Sequence, residues 1–308
     1  MSEPTALVPG TRIAVTGSSG LIGTALVESL APDGIRAVRL VRRPPENQDE
    51  IEWDPAAGRI DGAALEGMDA VVHLAGAGIA DGRWNESRKR LIRESRVEGT
   101  RLLAETLAGL ERKPRVLVSA SAVGYYGDRG DEPLDERAAP GEGFLAEVCA
   151  AWEEAAGPAR EAGIRVVHPR IGFVLSGRGG GLPKMLLPFR LGLGGRIGSG
   201  RQQVSWISLA DLVAILRFVI AREEIAGPVN AVSPLPVANA EMTRALGRAL
   251  RRPTFFPVPA ALIGLLFGEM GRATILTGAR ALPERLERAG FRFLHPDIDA
   301  ALRAALEE

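Results

Sequence analysis

The 308-residue chain is poor in several side chains that carry chemistry elsewhere. It has one cysteine, Cys149, which excludes an intramolecular disulfide and any multi-cysteine metal site. Three scattered histidines, His73, His168 and His295, have no ligand spacing, so no metal is expected. Lysine occurs only at Lys89, Lys113 and Lys184, against thirty-five arginines, and tyrosine only at Tyr125 and Tyr126. A mechanism that needs a Tyr and a Lys at fixed spacing can therefore be checked residue by residue. No charge is in excess: 38 basic residues balance 38 acidic ones, so no global field draws a polyanion, and nucleic acid is not an expected partner. The most apolar late stretch, residues 258–267, is about half the roughly 20 residues of a spanning helix and reads as a buried helix. Residues 1–10 contain Glu3 and Pro4 and lack a basic region followed by an apolar run. No signal peptide, no membrane partner and a reducing, cytoplasmic location are the expectation.

The chain does contain a regular alternation of strand and helix patterns. Residues 12–16 form a β-branched run, 21–30 are apolar at helical spacing, and 37–41 form a second strand. Strand patterns at 69–75, 115–119 and 164–168 and helical ones at 88–107 and 145–160 continue the series. This predicts an α/β fold, a Rossmann-type doubly wound parallel sheet covered on both faces. After residue 170 the alternation is lost among glycine-rich loops, and helices are expected at 241–250, 259–267 and 297–306. The expected division is a cofactor-binding domain at 1–170 and a smaller, mostly helical substrate lobe at 171–308, with a strand near 229–232 returning to the sheet.

Gly17-Ser18-Ser19-Gly20-Leu21-Ile22-Gly23 separates the first strand from the first helix. Glycine permits a sharp turn and close approach of backbone to a pyrophosphate, and the helix start supplies free N–H groups and a positive dipole end. At the end of the second strand, where NAD sites place a carboxylate, stand Arg42 and Arg43. A carboxylate would repel a ribose 2′-phosphate that arginine pairs with, so the expected cofactor is NADP(H). Asp54, the small strand end Leu74-Ala75-Gly76, and Ser119 complete the expected cofactor contacts, while His73 reads as a satisfied strand-end histidine.

At this point the chain resembles an extended short-chain dehydrogenase/reductase, on Thr16-Gly17-Ser-Ser-Gly20-Leu-Ile-Gly23, Asp69-Ala-Val-Val-His-Leu-Ala-Gly76 and Val118-Ser-Ala-Ser-Ala-Val-Gly-Tyr-Tyr-Gly127. More narrowly it resembles the atypical branch of the NAD-dependent epimerase/dehydratase family, the nucleoside-diphosphate-sugar epimerase-like oxidoreductases. Residues 83–97, 144–149 with Trp152 and Glu153, 198–202, 205–207 with Asp211, 268–270, 282–283 and 290–291 carry that likeness. The resemblance implies NADP(H) in the N-terminal domain and a small-molecule substrate between the lobes.

It also marks a departure. The wider superfamily uses a Tyr-x-x-x-Lys pair on the helix after the fifth strand, and here that place reads Phe144-Leu-Ala-Glu-Val148. Neither a phenyl ring nor an isopropyl group moves a proton, and the atypical branch shares the loss. Ser121, which matches the superfamily serine, and Tyr125 or Tyr126 are the remaining catalytic candidates. A Tyr base would need a neighbouring cation, with Arg129, Arg170 or Lys184 as sources. Glu147 would act as an acid only if buried. Lys184, Gln202 and Trp206 are expected to face substrate. The expected function is an NADP(H)-dependent oxidoreductase or epimerase-like enzyme acting on a small carbonyl, imine or activated alkene. The alternative is a catalytically silent NADPH-binding sensor or scaffold.

Overall fold

The computed structural model describes residues 7–308. The expectation about the N-terminal stretch rests partly on residues 1–6, which lie outside the described residues. Strand β1 (Arg12–Thr16), helix α1 (Leu21–Leu30) and strand β2 (Arg36–Val41) form the opening β-α-β unit. Two further strands, β3 (Glu50–Asp54) and β4 (Arg59–Ile60), extend the sheet beyond β2. The chain then crosses to the other side of β1 as β5 (Ala70–His73), helix α2 (Glu86–Ala108) and β6 (Val116–Ser119). The short strands β7 (Ser121–Ala122) and β8 (Pro133–Leu134) precede helices α3 (Phe144–Glu154) and α4 (Gly157–Glu161), which lead to β9 (Arg165–Ile171).

Beyond β9 come β10 (Phe173–Leu175), α5 (Leu182–Arg190), β11 (Gln203–Val204), β12 (Trp206–Ser208) and α6 (Leu209–Ala221). Strand β13 (Gly227–Ala231) then pairs in parallel with β9, Val229 opposite Pro169. The chain ends through β14 (Val237–Ala238), α7 (Asn239–Leu250), α8 (Ala260–Thr274), β15 (Arg280–Ala281), α9 (Glu284–Arg288) and α10 (Ile298–Glu307).

The main sheet runs β13-β9-β6-β5-β1-β2-β3-β4, parallel except for the β3–β4 pair. The order reverses between β1 and β5, which opens a crevice at the C-terminal ends of those two strands. Alternation along the strands builds two cores. Ile13, Val15, Val72 and Val118 pack against Leu26 of α1 and Leu212, Leu216 and Val219 of α6. Ala14, Val71 and Leu117 pack on the opposite face against Leu103 and Leu107 of α2 and against Trp53. A third core joins α5, α7 and α10 through Leu186, Phe189, Met242, Leu246 and Leu302 around Trp206.

Two expectations are corrected and one helix is added. The helix expected at 145–160 is two helices, because Pro158 at the start of α4 cannot continue the hydrogen bonds of α3. The run at 258–267 is not a buried helix. It begins α8, which is bent at Gly268 (φ 62°) and buries one narrow stripe at Ile263 and Met270, while Leu265 is 70% exposed. Helix α6, absent from the sequence reading, covers the sheet beside α1. Its start carries a capping signal: Ser208 Oγ accepts from Asp211 N at 3.0 Å. The buried Asp211 carboxylate in turn receives the backbone amides of Leu294 and His295. Among the described residues no helix is long and apolar enough to cross a membrane.

Candidate functional site

The glycine loop sits at the β1–β5 crevice. Gly17 has φ 66°, a backbone state that favours glycine, and a Cβ there would lie 2.8 Å from the carbonyl carbon of Leu74. A Cβ on Gly23 would run into the Gly17 carbonyl oxygen, so helix α1 approaches the loop too closely for any side chain. Gly20 precedes α1 without a side-chain cap, and the first turn holds no acid, so the early amides, including those of Leu21 and Ile22, are available to an anion. Ser18 is buried and Ser19 exposed on the same turn.

The two arginines after β2 differ. Arg43 makes a bidentate pair with Glu50, both N···O distances 2.8 Å, and reaches Glu46 at 3.2 Å. Arg42 is exposed, with no hydrogen bond or ion pair among the described residues. Arg42 is thus the guanidinium at liberty to take a phosphate, and Arg43 is already neutralised. Asp54 is also engaged: it accepts from Ala57 N at 3.2 Å and pairs with Arg59 at 3.1 Å.

Across the crevice Thr16 Oγ1 lies 2.7 Å from His73 Nδ1 and accepts from Leu74 N and Ala75 N at 3.1 and 3.2 Å. With both lone pairs used, its proton must go to Nδ1, which leaves the His73 proton on Nε2. Burial, with a smaller effect from Arg96, pushes the His73 pKa down to about 4, so the ring is neutral. Its Nε2, the Ser119 Oγ and His168 Nε2 are enclosed without protein partners. Because His73 pairs with Ser119 across β5 and β6, these groups lie along one sheet face. Ser119 is fully buried.

The catalytic candidates enter a closed network. Ser121 Oγ donates to Glu153 Oε1 at 2.7 Å, and Arg170 holds both Glu153 oxygens, at 2.8 and 2.9 Å. Arg170 Nη1 donates to the Tyr126 hydroxyl at 3.0 Å, and that hydroxyl donates to Asn230 Oδ1 at 2.7 Å. Burial pushes the Tyr126 pKa up to about 12, against the opposing influence of Arg170. Burial alone would lower the Arg170 pKa, but the hydrogen bonds and charge of Glu153 outweigh it and raise it. Glu136, which accepts from Asn230 N at 3.0 Å, is raised by burial. Tyr126 is therefore corrected from catalytic candidate to structural residue: it is fully buried and its hydroxyl is committed. Ser121, 2% exposed, directs its hydroxyl hydrogen at Glu153. Tyr125 differs, being partly exposed, with its ring centroid 3.5 Å from the Arg170 guanidinium carbon and no hydroxyl partner among the described residues. Of the three proposed cations, only Arg170 stacks on a tyrosine, since Arg129 is paired with Glu132 and Lys184 is exposed on α5.

The expected substrate residues do not converge. Trp206 is fully buried and donates to the Leu235 carbonyl, so it is a core residue, not a substrate contact. Gln202 ties the carbonyls of Ile197 and Ile275 together. At the superfamily's Tyr position, Phe144 packs edge-on against Trp84 at 5.0 Å, with Lys89 Nζ 5.3 Å from its ring centroid. Glu147 is exposed and Val148 buried. Cys149 is buried too, and burial pushes its pKa up to about 11. Among the described residues no three His, Cys, Asp or Glu side chains are grouped to hold a metal ion.

The model of the NAD dependent epimerase/dehydratase family matches residues 13–231, from β1 through β13. The chain belongs to that family. A domain of unknown function, DUF1731, matches residues 258–305. An epimerase family protein of Mycobacterium bovis is 47% identical over 290 residues, covering 94% of this chain and 96% of its own. The human epimerase family protein SDR39U1 (isoform 2), whose crystal structure was solved with NADPH, superposes with a TM-score of 0.87 at 36% identity, covering 96% and 99% of the two chains. A nucleoside-diphosphate sugar epimerase from Corynebacterium glutamicum gives 0.81 at 41% identity, covering 97% of this chain and 58% of the other. This family member is an atypical short-chain dehydrogenase/reductase similar to SDR39U1.

Four site residues escaped the sequence reading: Arg96, Glu136, Glu153 and Asn230. Their environments come from the fold. The likeness around 95–97 and 152–153 was the only signal that touched two of them.

Proposed function

We propose that this family member is an NADP(H)-dependent oxidoreductase or epimerase-like enzyme acting on a small carbonyl, imine or activated alkene in a cleft between the sheet's C-terminal edge and the C-terminal lobe. The observation that carries the reading is Arg42, just past the end of β2 and unpaired among the described residues, together with an uncapped, glycine-lined helix start. The NADPH crystallised with human SDR39U1 supports the same cofactor. Gly17, Ser18, Ser19, Gly20, Leu21 and Ile22 would hold the pyrophosphate on backbone amides, Arg42 the 2′-phosphate, and Leu74, Ala75 and Gly76 the floor beneath the dinucleotide.

When bound, NADPH supplies a hydride. The chain must then orient an acceptor and provide a proton. Tyr125 is the phenol free to do so, its ring held by Arg170, with water as the other donor. Tyr126 serves by accepting from that arginine, Ser121 by bonding the Glu153 that holds it, and Ser119 by its buried, unpartnered hydroxyl beneath the crevice.

The test is a calorimetric titration with NADPH and NADH, followed by cofactor oxidation across a panel of small carbonyls, imines and activated alkenes. Tighter NADPH binding with turnover of one panel class is expected. Tight NADPH binding without turnover on any of them would favour the silent sensor or scaffold instead. No preference for NADPH would remove the 2′-phosphate assignment.

A further inference from the structure

Most of the large apolar side chains left exposed among the described residues come from two stretches, 187–193 and 255–267. In the first, Leu187 and Leu191 stand one helical turn apart at the end of α5, with Leu193 in the loop beyond. In the second, Phe255 is 81% exposed, Phe256 follows it, and Leu262, Leu265 and Leu266 share an exposed side of α8 while Ile263 faces the protein. The two stretches are joined edge to edge. Val258 N donates to the Arg196 carbonyl at 2.9 Å, Gly198 N donates to the Val258 carbonyl at 2.8 Å, and a Cβ on Gly195 would run into the Phe256 carbonyl oxygen. Arg83, which precedes α2, holds the α8 end by donating to the Leu266 carbonyl at 3.2 Å. A contiguous apolar surface of this kind marks a place that something covers.

Its charge says what. The chain is neutral as a whole, yet residues 182–202 and 251–268 contain Lys184, Arg190, Arg196, Arg201, Arg251 and Arg252 and no aspartate or glutamate. All six cations are exposed, and none has a carboxylate partner among the described residues, whereas Arg248, just before Arg251, is held by Asp299 at 2.7 Å. A second copy of the chain would set these cations against their own kind across a two-fold axis, with no acid in either stretch to meet them. An anionic bilayer satisfies both halves: apolar side chains enter the boundary between headgroups and acyl chains, and the cations meet the lipid phosphates. Arg251 and Arg252 share one loop with Phe255 and Phe256, so both halves are presented together. A fluid bilayer, unlike a folded partner, takes such side chains without a matched pocket.

We propose that the surface formed by α5, the loops at 191–201 and 251–258 and the start of α8 docks the protein peripherally on an anionic lipid bilayer. The expectation of no membrane partner rested on the lack of a spanning run and of a signal peptide, and a face that lies at the headgroups needs neither.

The experiment sediments the full chain with vesicles of phosphatidylcholine mixed with phosphatidylglycerol, and with vesicles of phosphatidylcholine alone. Binding to the mixed vesicles is expected, weak or absent on the neutral ones and falling as salt rises. Phe255→Ser combined with Leu265→Ser should weaken it by about tenfold, and Arg251→Glu combined with Arg252→Glu by about tenfold or more, at about fivefold for each cation lost. Both pairs are exposed, so thermal unfolding of these variants should match the wild type. Arg93→Glu with Arg101→Glu makes the same change of charge on the exposed side of α2 and should leave binding within about twofold. No binding to the mixed vesicles overturns the inference, as does equal binding to both kinds. An equal loss in the α2 variant, which would mean net charge alone, also overturns it. So does a dimer in analytical ultracentrifugation that the Phe255 and Leu265 substitutions dissolve, which would give the face to a second copy.

Discussion

The two sides of the crevice treat polar groups in opposite ways. Around the glycine loop, donors are left open: α1 starts without a side-chain cap, and among the described residues Arg42 is unpaired and Arg96 lacks a carboxylate. Around the family's catalytic position, polar groups are saturated by one another, from Ser121 through Glu153, Arg170 and Tyr126 to Asn230. Satisfied buried networks hold a fold together, whereas unsatisfied groups near a surface are what a ligand completes. The contrast argues that binding is built into this structure more visibly than proton transfer.

Removing the acid from the closed side should have the largest effect. Glu153→Ala strands the Arg170 guanidinium, whose side chain is 3% exposed, and should cost about 3–5 kcal/mol in a denaturant-unfolding experiment. A loss below about 1 kcal/mol would mean that the network is not structural. The next effect tests His73, neutral in the folded state. Its folded pKa of about 4 lies below the ordinary value of 6.5, so its contribution is full above pH 6.5 and falls as pH drops toward 4. That difference corresponds to about 3 kcal/mol, with His168 shifted in the same direction. Unfolding free energy followed from pH 7 to 4 should fall more steeply in the wild type than in His73→Gln, and equal slopes would contradict the buried neutral assignment.

The tyrosines divide along the same line. Tyr126→Phe leaves Asn230 Oδ1 without its donor and should destabilise the protein by about 1–3 kcal/mol. Tyr125→Phe removes an unpartnered hydroxyl, so its stability should stay within about 0.5 kcal/mol while turnover falls. Matching stability losses in the two variants would erase the distinction between them. On the open side, Arg42→Ala should weaken NADPH by about tenfold, or roughly 1.4 kcal/mol, without changing NADH. Arg43→Ala should do less, because Arg43 is neutralised by Glu50.

Much of the fold was legible because its signals are local. The alternation of β1, α1 and β2 and the glycines that only a tight turn requires can be read over a few residues. Helix α6 was missed although Ser208 and Asp211 announce its start, since apolar residues on nearly every side, broken only by Asp211 and Arg217, leave little helical period to read. The exposure of Leu265 could not be read either, because which face of α8 finds a partner is decided by residues far away in sequence. At the site, Arg42 and Arg43 look alike in sequence and are separated only by Glu50 across the β2–β3 connection. Tyr125 and Tyr126 are adjacent, yet the turn sends one into the core and leaves the other at the edge.

Thr16 gives the crevice a fixed gauge. One hydroxyl oxygen engages two amides of the β5 end and the ring of His73 at once, so the loop that follows β1 and the floor that follows β5 hang from a shared atom. The spacing across which a dinucleotide would lie is therefore set by directional bonds of fixed length, where apolar packing alone would tolerate sliding. Loss of that atom would release two amides and a ring nitrogen together, and the strands on either side of the switch point could then drift apart with their cores still intact.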